Sequence, residues 1–336
     1  MPVDTNKLIE LINMGFSLNE IVNNMNLSRN EIYDLFRNLS SYGIDFGRKY
    51  YSSGDILYVP TKEIEIPGKR NCVDIITESG SDSFRTLVIS DLHIGSIYER
   101  QDAWDIMMNY CIDKGIHNVI VAGDFLDGIN KGRAECKIHD NFFEQMVYAV
   151  DKYPMDNNII HFVTFGNHDV DSLVSEGINF ASYLHNYRHD IVPIGYGYGR
   201  INIKNDKILV THPLCIGVSN NLDLTGNYLL IKGHHHANKS IIGTNGNCSL
   251  SVPSLSDIYL TENEFLPGAI DLSIKFKNGY FDTIFYEHLL INNGRVHTIS
   301  STQFMVSPSK DRKYDGNIKY EEEFGKIRTL KKEDKH

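Results

Sequence analysis

Thr86-Leu87-Val88-Ile89-Ser90-Asp91-Leu92-His93 is the stretch on which the reading of this chain turns. An unbroken aliphatic run bounded by polar residues has the form of a strand buried on both faces. This one stops abruptly at a carboxylate and an imidazole two positions apart. The same punctuation recurs downstream. Ile120-Val121-Ala122 leads into Gly123-Asp124-Phe125-Leu126-Asp127, and Val163-Thr164-Phe165 into Gly166-Asn167-His168-Asp169. Leu209-Val210-Thr211 leads into His212, and Leu230-Ile231-Lys232 into Gly233-His234-His235-His236. Ligands of open α/β sheets gather at the carboxyl ends of strands, so these oxygen and imidazole donors are expected to converge. Residues two apart on an extended chain point the same way. Asp91 should therefore share a target with His93, and His234 with His236, while His235 points elsewhere. Gly123, Gly166 and Gly233 let the backbone turn sharply beside the site.

Outward from these blocks, helical stretches around 99–115 and 140–152 separate the first strands, the strand–helix–strand order of a parallel or mixed sheet. Ile201 to Thr211 and Tyr228 to Lys232 read as further strands. Asn278-Gly279 and Asn293-Gly294, each between alternating apolar runs, predict hairpins that end the sheet in antiparallel strands. Upstream, Leu8, Ile9, Leu11 and Ile12 give a short amphipathic helix stopping near Gly15. Ser17 with Glu20, and Ser28 with Glu31, are two capping boxes in quick succession, hence two more helices with Ile21, Val22, Ile32, Leu35, Phe36 and Leu39 inward. Arg48-Lys49-Tyr50-Tyr51, a Ser-Ser-Gly-Asp turn and Ile56-Leu57-Tyr58-Val59 then form a hairpin. Three helices and a hairpin resemble a winged helix-turn-helix. The expected division is 1–60 for this unit, 61–302 for the main domain, and 303–336 for a charged tail.

Bulk composition narrows the classes. With 336 residues, 41% hydrophobic and 23% charged, the chain has an ordinary globular make-up. No window has the apolar length to cross a bilayer, so no membrane partner is expected. Cys72, Cys111, Cys136, Cys215 and Cys248 are scattered and odd in number, which argues against a disulfide framework or thiolate zinc site and for a cytoplasmic location. Cys215 reads as a small buried hydrophobe. The formal charge of -10 disfavours non-specific coating of nucleic acid, but not a nuclease whose metal ions supply positive charge locally. Carboxylate, imidazole and amide donors without thiolate suit manganese, iron or zinc, with manganese the leading expectation.

The five blocks in this order resemble the calcineurin-like metallophosphoesterase family: Asp-x-His, Gly-Asp-x-x-Asp, Gly-Asn-His-Asp, His, Gly-His-x-His. The resemblance spans residues 86 to 236. It implies an α/β fold, a β-sandwich flanked by helices, here preceded by the winged helix-turn-helix unit. It also implies a centre of two divalent metal ions. Asp91, His93 and His236 would hold one ion, and Asn167, His212 and His234 the other, with Asp124 bridging. His168 would stand beside the phosphate as a transition-state stabiliser or proton donor, with Asp127 hydrogen-bonded to it. Two such metals about 3.5–4 Å apart neutralise phosphate oxygens and generate a nucleophile near neutral pH.

Substrate expectations follow. In the phosphoprotein-phosphatase branch an Arg follows the second Asp of the second block; here that position is Gly128, which turns the reading away from phosphoproteins. Lys131, Arg133 and Lys137, with His139, lie just beyond and are candidates for gripping the substrate phosphate. If the amino-terminal unit docks on nucleic acid, Arg29, Asn30, Tyr33, Arg37 and Asn38 would face it from the recognition helix, and Arg48 and Lys49 from the wing. That unit carries five Lys/Arg against seven Asp/Glu, so a protein-interaction role stands beside it. The leading expectation is hydrolysis of phosphodiesters in nucleic acid. The alternatives are a phosphodiesterase or phosphatase of small nucleotides, and a DNA-binding accessory protein with a vestigial site.

Overall fold

The computed structural model describes residues 3–61, 71–129, 138–139, 141–170, 177–214, 229–243, 247–257 and 266–306. Two sheets face each other. One runs in the order β15 (Arg295–Met305), β14 (Tyr280–Asn292), β13 (Gly268–Lys277), β4 (Ser83–Ile89), β5 (Asn118–Ala122), β6 (Ile160–Phe165) and β7 (Ile191–Tyr196). The other runs β11 (Lys239–Ile242), β12 (Cys248–Ser251), β10 (Leu229–Lys232), β9 (Asp206–Thr211), β8 (Tyr198–Ile203), β3 (Cys72–Ile76), β1 (Phe46–Tyr51) and β2 (Ile56–Pro60). This is a mixed α/β fold of two large sheets with flanking helices, the architecture expected.

The pleat explains why the strand runs are continuously apolar. Val88, Ile120 and Phe162 point into the core between the sheets, where Ile201, Ile208 and Ile231 meet them. Their neighbours Leu87, Val121 and Val163 point to the other face, covered by α4 (Gln101–Lys114), α5 (Phe142–Lys152) and α6 (Phe180–Tyr187) through Trp104, Met107, Met146 and Leu184. β4, β5, β6 and β7 are parallel, and so are β9 and β10, so the strand ends bearing the polar blocks in each sheet lie on one side.

Both Asn-Gly turns form hairpins, with φ of 54° and 82° at Asn278 and Gly279 and 48° and 71° at Asn293 and Gly294. Ile201–Thr211 is not one strand. It breaks at Lys204 (φ 54°) into the antiparallel pair β8 and β9, a turn that the strong flanking β-formers hid from periodicity. The final strand runs to Met305, beyond the expected start of the tail at 303; residues 307–336 lie outside the described residues.

The amino-terminal helices form as expected: α1 (Val3–Asn13), α2 (Leu18–Met25) and α3 (Arg29–Ser41), the last two with both halves of their capping boxes made. The hairpin after them is not a free wing. β1 pairs in parallel with β3, so β1 and β2 are the last two strands at one end of the eight-stranded sheet, with β2 at its edge, and Leu8, Ile32 and Tyr58 join the same hydrophobic core.

Candidate metal centre

The donors converge past the strand ends, but by a different backbone route from the extended one. Asp91 and His93 lie beyond the end of β4 with φ of 54° and 48°, Asp124 beyond β5 at 47°, and His234 and His236 beyond β10 at 78° and 47°. Left-handed geometry is uncommon for residues with a Cβ and clusters at functional sites. Here it swings alternate side chains inward while the main chain stays bonded: the Asp91 N–H donates to Gly123 O and the His93 N–H to Asp124 O. His235, between two turned residues, is exposed. Gly123 does turn (φ 96°), whereas Gly233 serves close approach, since a Cβ there would stand 1.9 Å from the Ala122 carbonyl oxygen.

Three clusters have donor atoms within 4.8 Å of one another: Asp91 with His93 and His236, Asp124 with His212 and His234, and His93 with Asp124 and His168. Asp124 stands between the first two. Its Oδ2 is 3.1 Å from His212 Nε2 and 3.8 Å from His93 Nε2. Asn167 Oδ1 lies 3.2 Å from His212 Nε2, which places the amide in the second cluster. His236 Nε2 lies 3.1 Å from Asp91 Oδ1. Asp91, His93, Asp124 and His212 are all buried. Burial opposes ionisation of Asp91 and Asp124, yet the imidazoles of His236 and His212 hold both carboxyls well below the usual range. Burial pushes His93 down, and its Nε2 is buried with no hydrogen-bond partner. An orphaned ring nitrogen facing two ionised carboxylates is an arrangement a divalent cation satisfies, and the donor set fits one.

Around the donors the sequence left several supports unread. Ser90 Oγ donates to Asp91 Oδ2 (2.6 Å), and Ser254 Oγ, far along the chain, donates to the Asp91 carbonyl (3.0 Å). Asp169, the last residue of the third block, accepts from the main-chain N–H groups of Phe125, Leu126 and Gly166 and so ties two donor-bearing loops together. Its position inside the block was the available signal; nothing marked Ser254. Asp169→Ala is expected to cost about 3 kcal/mol or more, since each buried donor left unsatisfied costs ~1–3 kcal/mol. A lower urea midpoint at unchanged slope checks this, and a midpoint like that of the parent protein would refute it.

The partner of Asp127 differs from the expected one. Its carboxylate Oδ1 lies 3.2 Å from His93 Nδ1, and it is the Asp127 main-chain carbonyl that accepts from His168 Nδ1 (2.6 Å). The buried carboxylate faces the buried ring of His93, so Asp127 orients a histidine of the donor cluster directly and His168 only through the backbone. Lys131, Arg133 and Lys137 lie outside the described residues, as do Cys136 and Cys215. His139 packs its ring 4.6 Å from Tyr148.

On α3, Asn30 and Asn38 are exposed, but Arg29 and Tyr33 are buried. Arg29 Nη2 donates to Asn19 Oδ1 (2.8 Å), and Tyr33 packs its ring 4.3 Å from that of His189, so both lie on the packed face of α3 with Ile32, Phe36 and Leu39. Arg37 pairs with Asp34, and Arg48 bonds His185 on α6; Lys49 is exposed. Arg29 and Tyr33 are therefore not available for contact with nucleic acid.

Burial works against the charge on His212, but Asp124 and Asp91 raise its pKa to about 9. Metal binding needs the neutral ring. The raised value means the proton is still held at neutral pH, so a metal ion coordinated by His212 would have to displace it. Apparent metal affinity is expected to rise about tenfold per pH unit up to that pKa and level off above it. Competition against a chelating dye across this range checks it; a flat profile would remove His212 from the ligand set.

The sandwich with this donor set at its strand ends defines a metal-dependent phosphoesterase, a hydrolase of ester bonds. The chain belongs to the calcineurin-like phosphoesterase family, whose profile matches residues 84–279. Among solved structures it is similar to the calcineurin-like phosphoesterase YfkN from Bacillus subtilis, at 10% identity over 67% of this chain and 90% of that one, with a TM-score of 0.31. No curated protein matches the chain. Among the described residues, no helix is long and apolar enough to cross a membrane.

Proposed function

We propose that this phosphoesterase holds two divalent ions, manganese foremost, and hydrolyses phosphodiester bonds in nucleic acid. Asp91, His93 and His236 would hold one ion, Asn167, His212 and His234 the other, and Asp124 both. When bound, the ions neutralise the phosphate oxygens and activate water. The observation that carries the reading of an ester with an alcohol leaving group, which a sugar–phosphate linkage is, is the setting of His168. Its Nδ1–H is committed to the Asp127 carbonyl, which fixes the tautomer and turns Nε2 toward the centre, 4.0 Å from Asp124 Oδ2. Protonated there, His168 delivers a proton to the departing alkoxide, which a sugar hydroxyl needs in order to leave.

Gly128 supports the reading away from phosphoproteins. It has φ of 71°, and a Cβ would stand 2.5 Å from the His168 carbonyl oxygen, so an arginine there would disturb the loop that holds His168. A cation for the substrate must come from elsewhere, and Lys131, Arg133 and Lys137 are the proposed source. The free cysteines Cys72, Cys111 and Cys248 suit a reducing, cytoplasmic location. Burial of Arg29 and Tyr33 favours a second reading, hydrolysis of small nucleotides, since it strips the helical unit of two contacts.

A substrate panel on the manganese-loaded protein separates them. Cleavage of single-stranded DNA, duplex DNA or RNA is expected. Cleavage of cyclic or mononucleotides alone would sink the nucleic-acid reading, and no hydrolysis with any metal would leave an accessory protein with a vestigial site.

A further inference from the structure

Arg37 and Arg48, candidates in the sequence for contact with a polymer, line a cavity of about 540 Å³. It lies between α3, the β1–β2 hairpin and α6, and none of its lining residues belongs to the metal clusters. The volume falls within the range of pockets that enclose small organic ligands, roughly 300–1,000 Å³.

The charge balance of this cavity is unusual. Arg48 Nη1 lies 3.2 Å from His185 Nδ1, and Nη2 donates to the His185 carbonyl (3.0 Å). Its Nε is buried with no hydrogen-bond partner, and no carboxylate pairs with this guanidinium among the described residues. The nearby rings give no counter-charge. Burial pushes His185 down to about 2 and His189 well below its usual value, and the latter's Nδ1 is engaged by the Tyr58 hydroxyl at 2.7 Å. Asp45 is the one acidic side chain on the wall, and it is exposed. A guanidinium held only by neutral acceptors, with an unused N–H, is incompletely compensated. Arg37 stands beside it, its guanidinium 5.0 Å from the Tyr187 ring centroid and paired with the exposed carboxylate of Asp34. The rest of the wall is divided: Phe36, Ile44 and Phe46 are apolar, while Ser40, Ser182 and Asn186 offer hydroxyl and amide groups.

We propose that this cavity is a second ligand site, which takes an organic phosphate bearing a planar ring, of nucleoside monophosphate size. The phosphate meets Arg48 and Arg37, and the ring lies against Phe36, Ile44 and Phe46. Arg48, with Arg37 exchanging its exposed Asp34 partner for the ligand, matches the charge of about -1.5 to -2 on a phosphate monoester, and the apolar wall gives a ring somewhere to leave water. The site does not depend on which ester the metal centre cleaves.

The test uses the full chain, zinc-loaded and labelled with ¹⁵N-arginine. The Arg48 Nε–H resonance is followed during titration with the non-hydrolysable methylene phosphonate analogue of adenosine monophosphate, with inorganic phosphate, and with adenosine. The nucleotide analogue is expected to shift this resonance saturably, and to bind at least about tenfold more tightly than phosphate or adenosine alone. Ser182→Tyr, which fills the cavity and leaves every Arg48 contact in place, should abolish the shift. Arg37→Gln should weaken binding about tenfold, and His168→Ala should leave it unchanged. An unmoved Arg48 resonance, or a shift that survives Ser182→Tyr, would overturn the site. Adenosine binding as tightly as the analogue would overturn the role of the two arginines.

Discussion

Asp124→Asn is expected to lower turnover on the order of a hundred-thousand-fold, because bound metal ions supply several kcal/mol of charge stabilisation and each ~1.4 kcal/mol is a decade in rate. Asp124 is the carboxylate shared between donor clusters, with one oxygen 3.1 Å from His212 Nε2 and 3.8 Å from His93 Nε2. Its other oxygen accepts the His168 main-chain N–H (3.0 Å). An amide of the same shape offers only one oxygen and no charge. Whichever way it turns, one of these partners faces an NH₂ group. His212 also loses the neighbour that contributes most to its raised pKa. The variant should fold, since the volume is unchanged, but metal content measured by mass spectrometry should fall with the activity. Full metal content with a loss below about a hundredfold, the scale of a residue outside the ligand set, would show that Asp124 is not the bridge.

His168→Ala should behave differently: a loss of about a hundred- to ten-thousand-fold, the usual scale for a positioned proton donor, with metal content nearly intact. The side chain is 11% exposed, so its removal opens space toward the site rather than deep in the core. The carbonyl of Asp127 loses a partner, a modest cost at this position. The diagnostic is the leaving group. A diester of p-nitrophenol departs without a proton, so the variant should lose far less on it than on a dinucleotide. Equal losses on both would assign His168 to metal binding instead, a role for which its donor atom is close enough to His93 and Asp124.

The centre was legible because its donors occur as blocks at the ends of unmistakable strands. Parallel strands then deliver Asp91, Asp124 and His168 to one side with no further information. What escaped was of two kinds. Turns among strong β-formers, as at Lys204, leave no periodicity signal. Partners set by packing are also hidden: the Asp127 carboxylate chose His93 because both are buried, and Ser254 reaches Asp91 from a distant segment. The burial of Arg29 and Tyr33 is the same lesson on α3. A helix read alone shows an outer face, but Asn19 of α2 takes up Arg29 and the ring of His189, just past α6, meets Tyr33.

The left-handed backbone at Asp91, His93, Asp124, His234 and His236 has an evolutionary consequence. Each such residue carries on the order of 1–2 kcal/mol of conformational cost that glycine would not. At these five positions selection for robustness and selection for chemistry oppose each other. The substitution that would most relieve the chain also deletes one of the converging donors. The protein therefore holds an unused reserve of stability in its active centre, which a lineage that lost catalysis would be free to recover, one glycine at a time.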